Sequence, residues 1–498
     1  MSNKKIIIIL FFIILLGGFL RFYKLGQQPF VTDEFLDINA TYGYFKTGQW
    51  LAWDFNLDQV SENLYAQREE RSWLYRIQVA QLFHWFSLTE ATARSVSVIW
   101  GIISIVSLYF TATYFTKNKI IGLISAFLFS VSIAGVTFDR MIRMYAMFFP
   151  VFLLFSWFLF RFFEEEYAGK VTIIKLIWNK IGINLVWFLP MVILGTISWY
   201  IHLLTANIVA IFIVYLIIQT LIIFYSKRLI NNKYATILFV IVLVLIAIII
   251  FYNINPGNIS IYASPDIVTF SKNNFRYLPA VASDYSNIIL AYILIILGVY
   301  SAKKNKRNLW IIISFFVILF LATFVWNRNF GLRFIFFAMS FGIILLSSGI
   351  YFLADKIGKY FPAHQKKVFV GVLMTALLIV PNYAYFFSKE SPYLKNETRT
   401  DYRSAFQYFL ENKNEGDALL TRNFRSFYYK NAQAKIINKE WNKKISLDEL
   451  KKIITENPSG WIVTGDPKGD IEKDALKYIE ENSSDKKEIS GVQIYHWN

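Results

Sequence analysis

Apolar runs long enough to cross a bilayer recur through the first ~390 residues, and short basic turns separate them. A membrane-crossing helix needs about 20 apolar residues, and a chain that repeats such runs has few soluble solutions. The sequence opens with one, Ile6 to Phe22, directly after MSNKK. With 498 residues, 56% of them hydrophobic, the chain reads as a polytopic α-helical membrane protein of about 11 transmembrane helices. The first run resembles a signal peptide but lacks a small-x-small cleavage site, so we expect a retained signal anchor.

The basic residues orient the crossings. With the amino terminus cytoplasmic, the inside segments hold nineteen Lys and Arg, among them Lys4, Lys5, Lys117, Lys119, Lys303, Lys304 and Arg307, against four acids. This positive-inside pattern accounts for nearly all of the net charge of +17 and removes a nucleic-acid partner from consideration. Helix 2 is expected over about Ser95 to Phe115, helix 3 as one span over about Ile120 to Phe138, and helices 5 and 6 as a hairpin around His202. Helix 11, about Val368 to Phe387, ends outside the membrane. Cysteine is absent, which excludes disulfides, thiolate metal sites and a cysteine nucleophile.

Two outward-facing stretches interrupt the apolar pattern. Residues 23–94 are amphipathic and rich in Tyr and Trp, aromatics favoured at headgroup level, and should form short helices along the membrane. From residue 389 the composition turns charged and polar, and residues 389–498 read as a small extracytoplasmic α/β domain of ordinary size. Asp401 to Asn412 and Asp470 to Glu481 are its predicted helices, and Asp417 to Thr421 and Gly460 to Thr464 its predicted strands. Residues 1–388 are the transmembrane domain. The cell (inner or plasma) membrane is the expected location.

The candidate chemistry gathers on the outer side. FYKLGQQPFVTDEFLD, Phe22 to Asp37, follows the first span and carries Asp33, Glu34 and Asp37. Thr32-Asp33 is also a helix N-cap signal, but an acid pair beside the bilayer is more often functional, and we read Asp33 as a catalytic base. Asp139, Arg140, Arg143 and Tyr145 lie between helices 3 and 4. On a helix Arg140 and Arg143 share a face, as do Asp139 and Arg143, giving either an intrahelical ion pair or a cationic wall for an anionic substrate. Arg328 and Arg333 occupy the outer loop NRNFGLR, where snorkelling explains one arginine and a phosphate partner would explain the pair. His202 is read as a hydrogen-bonded structural histidine, with metal ligation as the lesser alternative. No nucleotide-binding glycine loop and no paired metal-ligand motif occurs, so an enzyme here needs an activated donor already in the membrane.

An Asp-Glu pair in the first outer loop after Arg21-Phe22-Tyr23-Lys24-Leu25-Gly26 resembles the GT-C glycosyltransferases, closest to the protein O-mannosyltransferases and lipid A aminoarabinose transferases. Arg71-Ser72-Trp73-Leu74-Tyr75 looks like the family's Arg-Ala-Pro-Leu-Tyr segment without its proline. Arg140 to Tyr145 is similar to Arg-x-x-Arg-x-Tyr, Tyr200-Ile-His202 to Thr-His-Tyr, and Arg333-Phe334 to a late Arg-Tyr. The oligosaccharyltransferase Trp-Trp-Asp motif is missing.

The resemblance implies transfer of a sugar from a polyprenyl-phosphate donor to an acceptor hydroxyl or phosphate group on a protein, lipid A or a surface glycan. Asp33 and Glu34 would be catalytic. Arg333, Arg140, Arg143 and Arg328 would hold the lipid phosphate, and Arg71, Tyr75, Asp139, Tyr145 and His202 would position donor or acceptor. The resemblance fixes no cofactor, and a divalent metal is left open. One base and in-line attack imply inversion. The rival classes are a lipid or sugar transporter or flippase, which needs charged or broken helices at mid-membrane, and a non-catalytic scaffold displaying its outer domain.

Overall fold

The structure, a computed structural model, describes residues 2–61, 72–227, 233–251, 274–302, 305–326, 330–359, 369–379, 400–438 and 443–498. It divides into two compact units. The first comprises Met1–Arg21, Ser97–Asp139 and Met144–Tyr383; the second comprises Phe22–Val96, Arg140–Arg143 and Ala384–Asn498.

The first unit is helical. Among the described residues of the chain, six helices have the length and apolarity of membrane spans: Asn3–Phe22, Glu90–Thr116, Tyr145–Glu164, Leu203–Ser226, Lys306–Val325 and Phe336–Gly358. Thr172–Ile181 and Leu185–Ile201 form a pair bent by 106°, and Lys119–Ser130, Lys233–Leu243, Ile288–Ser301 and Phe369–Ile379 are shorter apolar helices. Helix ends that the charge pattern assigns to one side do meet. Lys119 Nζ donates to Asn3 Oδ1 at 2.8 Å, and Lys306 Nζ to Glu164 Oε2 at 2.9 Å. Arg307 reaches the Tyr114 carbonyl at 3.1 Å.

Helix packing explains two sequence features. Ile288–Ser301 and Met339–Gly358 cross where Gly298 faces Gly349. A Cβ on Gly349 would lie 1.8 Å from the Leu294 carbonyl oxygen, and one on Gly298 would lie 2.0 Å from that of Leu345. Backbone contact of this kind is the packing solution where lipid supplies no hydrophobic drive between helices. The expected single helix 3 is corrected. Lys119–Ser130 stops, Ser132 caps a separate helix Ile133–Phe138, and its hydroxyl bonds Asp284, which also accepts the Ala134 N–H at 2.9 Å.

The second unit joins Phe22–Val96 to the carboxyl-terminal residues. Helices Thr32–Thr47 and Trp73–Leu82 pack together beside a two-residue ladder of β1 (Trp53–Asp54) and β2 (Gln59–Val60). Beyond residue 400, β3 (Ala418–Thr421), β4 (Lys435–Asn438), β5 (Gly460–Thr464), β6 (Asp485–Ile489) and β7 (Val492–Trp497) form one sheet in the order β4-β3-β5-β7-β6. β3 runs parallel to β4 and β5, and β7 is antiparallel to β5 and β6.

The sheet is covered on both faces. Leu420, Ile462 and Tyr495 pack with Leu450 and Ile479 from helices Leu447–Glu456 and Lys473–Asn482. On the other face Phe409, from helix Tyr402–Asn412, sits 6.0 Å from Trp461. Double coverage is why β3 and β5 read as unbroken apolar runs rather than alternating ones. Both predicted strands and both predicted helices occur within a few residues of their expected bounds. Residues 22–96 are keyed to this sheet and its helices: Arg403 bonds Glu90 at 2.6 Å and the Gly26 carbonyl at 3.1 Å, and Phe30 lies 4.9 Å from Phe427.

Candidate active site

The acidic loop becomes the start of a helix. Glu34 stands at the third position of Thr32–Thr47, and its carboxylate accepts the Val31 N–H at 3.0 Å, the return half of a capping box. The capping role foreseen for Thr32-Asp33 thus falls to Glu34. Its side chain is fully buried and holds Arg94 through two bonds, Nε to Oε1 at 2.8 Å and Nη2 to Oε2 at 2.7 Å. Oε1 also accepts the Ile142 N–H at 3.0 Å. Arg94 spends its remaining donors on the carbonyls of Leu25, Gln28 and Pro29, at 3.1, 2.7 and 3.0 Å. All five guanidinium N–H groups are therefore used, and together they fix the path of residues 25–34.

Asp37, one helical turn further on, is nearly as buried. Oδ1 accepts from Arg76 Nε at 2.9 Å and Nη2 at 2.5 Å, and Oδ2 accepts from Arg143 Nη1 at 2.6 Å. Asp33 differs from both. Its side chain is 35% exposed, and its ion pair with Arg143 Nη2 spans 3.5 Å. Arg143 therefore bridges Asp33 and Asp37, and of the three carboxylates only Asp33 presents itself to solvent.

The remaining sequence candidates are placed as follows. Residues 139–144 form turns, so the shared helical face of Arg140 and Arg143 does not exist, and the Asp139–Arg143 pairing is replaced. Asp139, in the first unit, pairs with Arg21 at 2.7 Å with both side chains fully buried. Gly101 makes that pair fit, since a Cβ there would lie 2.4 Å from Asp139 Oδ2. Arg140, in the second unit, donates to the carbonyls of Tyr23 at 2.6 Å and Lys24 at 3.2 Å. Tyr75 is buried in helix Trp73–Leu82.

In the first unit, Tyr145 opens helix Tyr145–Glu164 with its ring 5.6 Å from that of His202. His202 Nδ1 accepts the Leu204 N–H at 3.0 Å and so caps the next turn, as the structural reading expected. Arg333 lies on the short turn Leu332–Phe334, its guanidinium 5.1 Å from the Phe334 ring centre. Arg71 and Arg328 lie outside the described residues. Among the described residues no cluster of three His, Asp or Glu side chains is arranged to hold a metal ion.

Sequence reasoning gave no role to Arg76 and Arg94 and used Arg21 only within a motif, yet each is matched by a buried acid.

The fold that carries this site is similar to that of two solved proteins. The oligosaccharyltransferase AglB from Archaeoglobus fulgidus, solved with an inhibitory peptide and a dolichol-phosphate, superposes with a TM-score of 0.61 at 11% identity, covering 94% of this chain and 70% of that one. ArnT from Cupriavidus metallidurans, solved bound to undecaprenyl phosphate, superposes with a TM-score of 0.58 at 10% identity, covering 99% of this chain and 98% of that one. No family model matches the sequence, and no curated protein does either.

Proposed function

We propose that this protein transfers a sugar from a polyprenyl-phosphate donor to an acceptor hydroxyl or phosphate group at the extracytoplasmic face of the cell membrane. About 11 transmembrane helices with the positive-inside pattern support a cytoplasmic amino terminus and an extracytoplasmic carboxyl-terminal domain. The observation that carries the reading is the division of labour in the acidic loop. Glu34 and Asp37 are consumed by buried arginines, whereas Asp33 faces solvent on the same turn of helix.

In the reaction, Asp33 takes the proton of the acceptor hydroxyl as its oxygen attacks the anomeric carbon. The bond from that carbon to the donor phosphate oxygen breaks, and the electron pair leaves on the polyprenyl phosphate. The phosphate is already a good leaving group, so the site needs a base and cations rather than a second catalytic acid. Arg333 is assigned to the departing phosphate, with Arg143 holding Asp33 in place. Direct displacement inverts the anomeric configuration. The comparison proteins support a lipid-phosphate donor, since ArnT was solved with undecaprenyl phosphate and AglB with a dolichol-phosphate.

The test is release of free polyprenyl phosphate from a panel of polyprenyl-phosphate sugars, with crude membranes as acceptor source. Wild type should release it with at least one donor, and Asp33→Asn should lower turnover by about 10²–10⁴-fold, the usual worth of a general base. Release by Asp33→Asn at the wild-type rate removes Asp33 from the mechanism. A wild type inert toward every donor returns the transporter and scaffold readings.

A further inference from the structure

The carboxyl-terminal sheet has a topological switch point of its own. After β3 the chain turns to β4 on one side, then crosses back to place β5 on the other, with both neighbours parallel to β3. Loops leaving the carboxyl ends of β3 and β5 therefore diverge and open a crevice, the place where open α/β sheets bind ligands. A small cavity lies there, lined by Thr421, Arg422, Arg425, Val463, Thr464 and Asp470 among others.

Its charges do not balance. Asp470 is committed on both oxygens: Oδ1 accepts from Arg422 Nη2 at 2.5 Å, and Oδ2 accepts from the Thr464 hydroxyl at 2.6 Å. Arg425 is left over. Its side chain is 4% exposed, yet neither Nε nor Nη1 has a hydrogen-bond partner among the described residues. The guanidinium stacks on two rings, 4.1 Å from the Tyr402 ring centre and 5.3 Å from that of Phe424. Burial pulls its affinity for the proton below the ordinary arginine value, and Asp470 offsets that pull only in part. A buried cation with idle donors is costly unless something binds it.

We propose that the carboxyl ends of β3 and β5 form a binding site for an oxyanion, a phosphate or carboxylate group that seats an oxygen against Arg425. Two guanidiniums against one carboxylate leave the crevice net positive, and an arginine fork matches either group. The void is about 10 Å³, room for a single water or one oxygen, so the rest of the ligand stays at the mouth. The turn that carries Arg425 also supports the helix bearing Asp33. Asn39 Nδ2 donates to the Phe424 carbonyl at 2.8 Å, and Phe35 packs 5.9 Å from Tyr402 and 6.1 Å from Phe424. An acidic group on an acceptor, bound at Arg425, would thus be held by the same unit that presents Asp33. The anion site itself does not depend on Asp33 being the base.

The experiment is calorimetric titration of the full chain in detergent with inorganic phosphate, acetate and a short-chain phosphatidate, for wild type, Arg425→Met and Arg425→Lys. Binding of any of the three by wild type, at least about tenfold weaker in Arg425→Met, is expected from loss of charge-assisted hydrogen bonds. Arg425→Lys keeps the charge but not the fork and should also bind more weakly. Phosphatidate alone binding assigns the site to a lipid headgroup, and inorganic phosphate or acetate binding assigns it to a soluble oxyanion. Arg425→Met should melt no lower than wild type in the absence of anion, because it removes an unpaired buried charge. Absence of binding to all three probes at millimolar concentration, or equal binding by all three proteins, overturns the proposal.

Discussion

Adjacent acids with opposite roles give the sharpest prediction. Glu34 and Asp33 are neighbours in sequence, but one is fully buried against Arg94 and the other is 35% exposed. Replacing Glu34 by Ala removes the carboxylate that neutralises Arg94, removes the acceptor of the Val31 and Ile142 N–H groups, and leaves a guanidinium at 3% exposure without its counter-charge. Breaking a buried pair from one side costs about 3–5 kcal/mol, and loss of the capping contact adds about 1 kcal/mol. Asp33→Asn acts on a partly exposed side chain whose ion pair with Arg143 spans 3.5 Å, and should cost less than about 1 kcal/mol. Hydrogen exchange on the intact protein in detergent reads both. Glu34→Ala should lose protection across residues 25–36, and Asp33→Asn should match wild type there while losing turnover. Equal protection in wild type and Glu34→Ala would refute the structural assignment of Glu34. A comparable loss in Asp33→Asn would refute the division between the two.

Three further outcomes follow from other parts of the structure. Gly349→Ala puts a methyl group 1.8 Å from the Leu294 carbonyl oxygen and should cost about 1–3 kcal/mol or more, read as a lower melting temperature. Gly298→Ala strains the same crossing, so the double variant should cost less than the sum of the single ones. Arg333→Ala should raise the KM for the lipid-linked donor more than it lowers the melting temperature, and an unchanged KM would separate Arg333 from the phosphate.

The last of the three concerns pH. Burial alone would raise the Asp417 carboxyl, but hydrogen bonds from Ser459, the Asn414 N–H and Trp461 outweigh it and hold the group below its ordinary 3.8. A carboxylate lowered on folding stabilises the folded state above its unfolded pKa and loses that stabilisation as pH falls through its folded value. The carboxyl-terminal domain should therefore weaken as acid is added below about pH 4, and Asp417→Asn should flatten that dependence in a pH series of thermal melts.

The apolar helices were legible in the sequence because hydropathy is a local signal, repeated many times. The contact of Asn3 with Lys119 and of Glu164 with Lys306 is what the alternation of basic turns requires. The break after Ser130 was not legible. Residues 120–138 are apolar throughout, and what stops the helix is a serine cap held by Asp284, about 150 residues away. The carboxyl-terminal strands β3 and β5 announced themselves as short apolar runs, whereas β6, with exposed Lys486, Lys487 and Glu488 at its centre, carries no such signal. The acidic loop was visible as a cluster, but its sorting into structural and exposed members rests on Arg76, Arg94 and Arg143, which arrive from three separate stretches of chain.

That sorting also bears on which acid a bound molecule can reach. Three carboxylates, Asp33, Glu34 and Asp37, meet three guanidiniums, Arg76, Arg94 and Arg143, in one unit. Drawing Glu34 toward a substrate would take the carboxylate from the buried Arg94, at a cost of several kcal/mol. Drawing Asp37 away would take it from Arg76 and Arg143, both largely buried. Asp33, 35% exposed, can meet a substrate without either buried pair being opened. The arginines therefore tie two of the acids to the structure and leave the third at its surface.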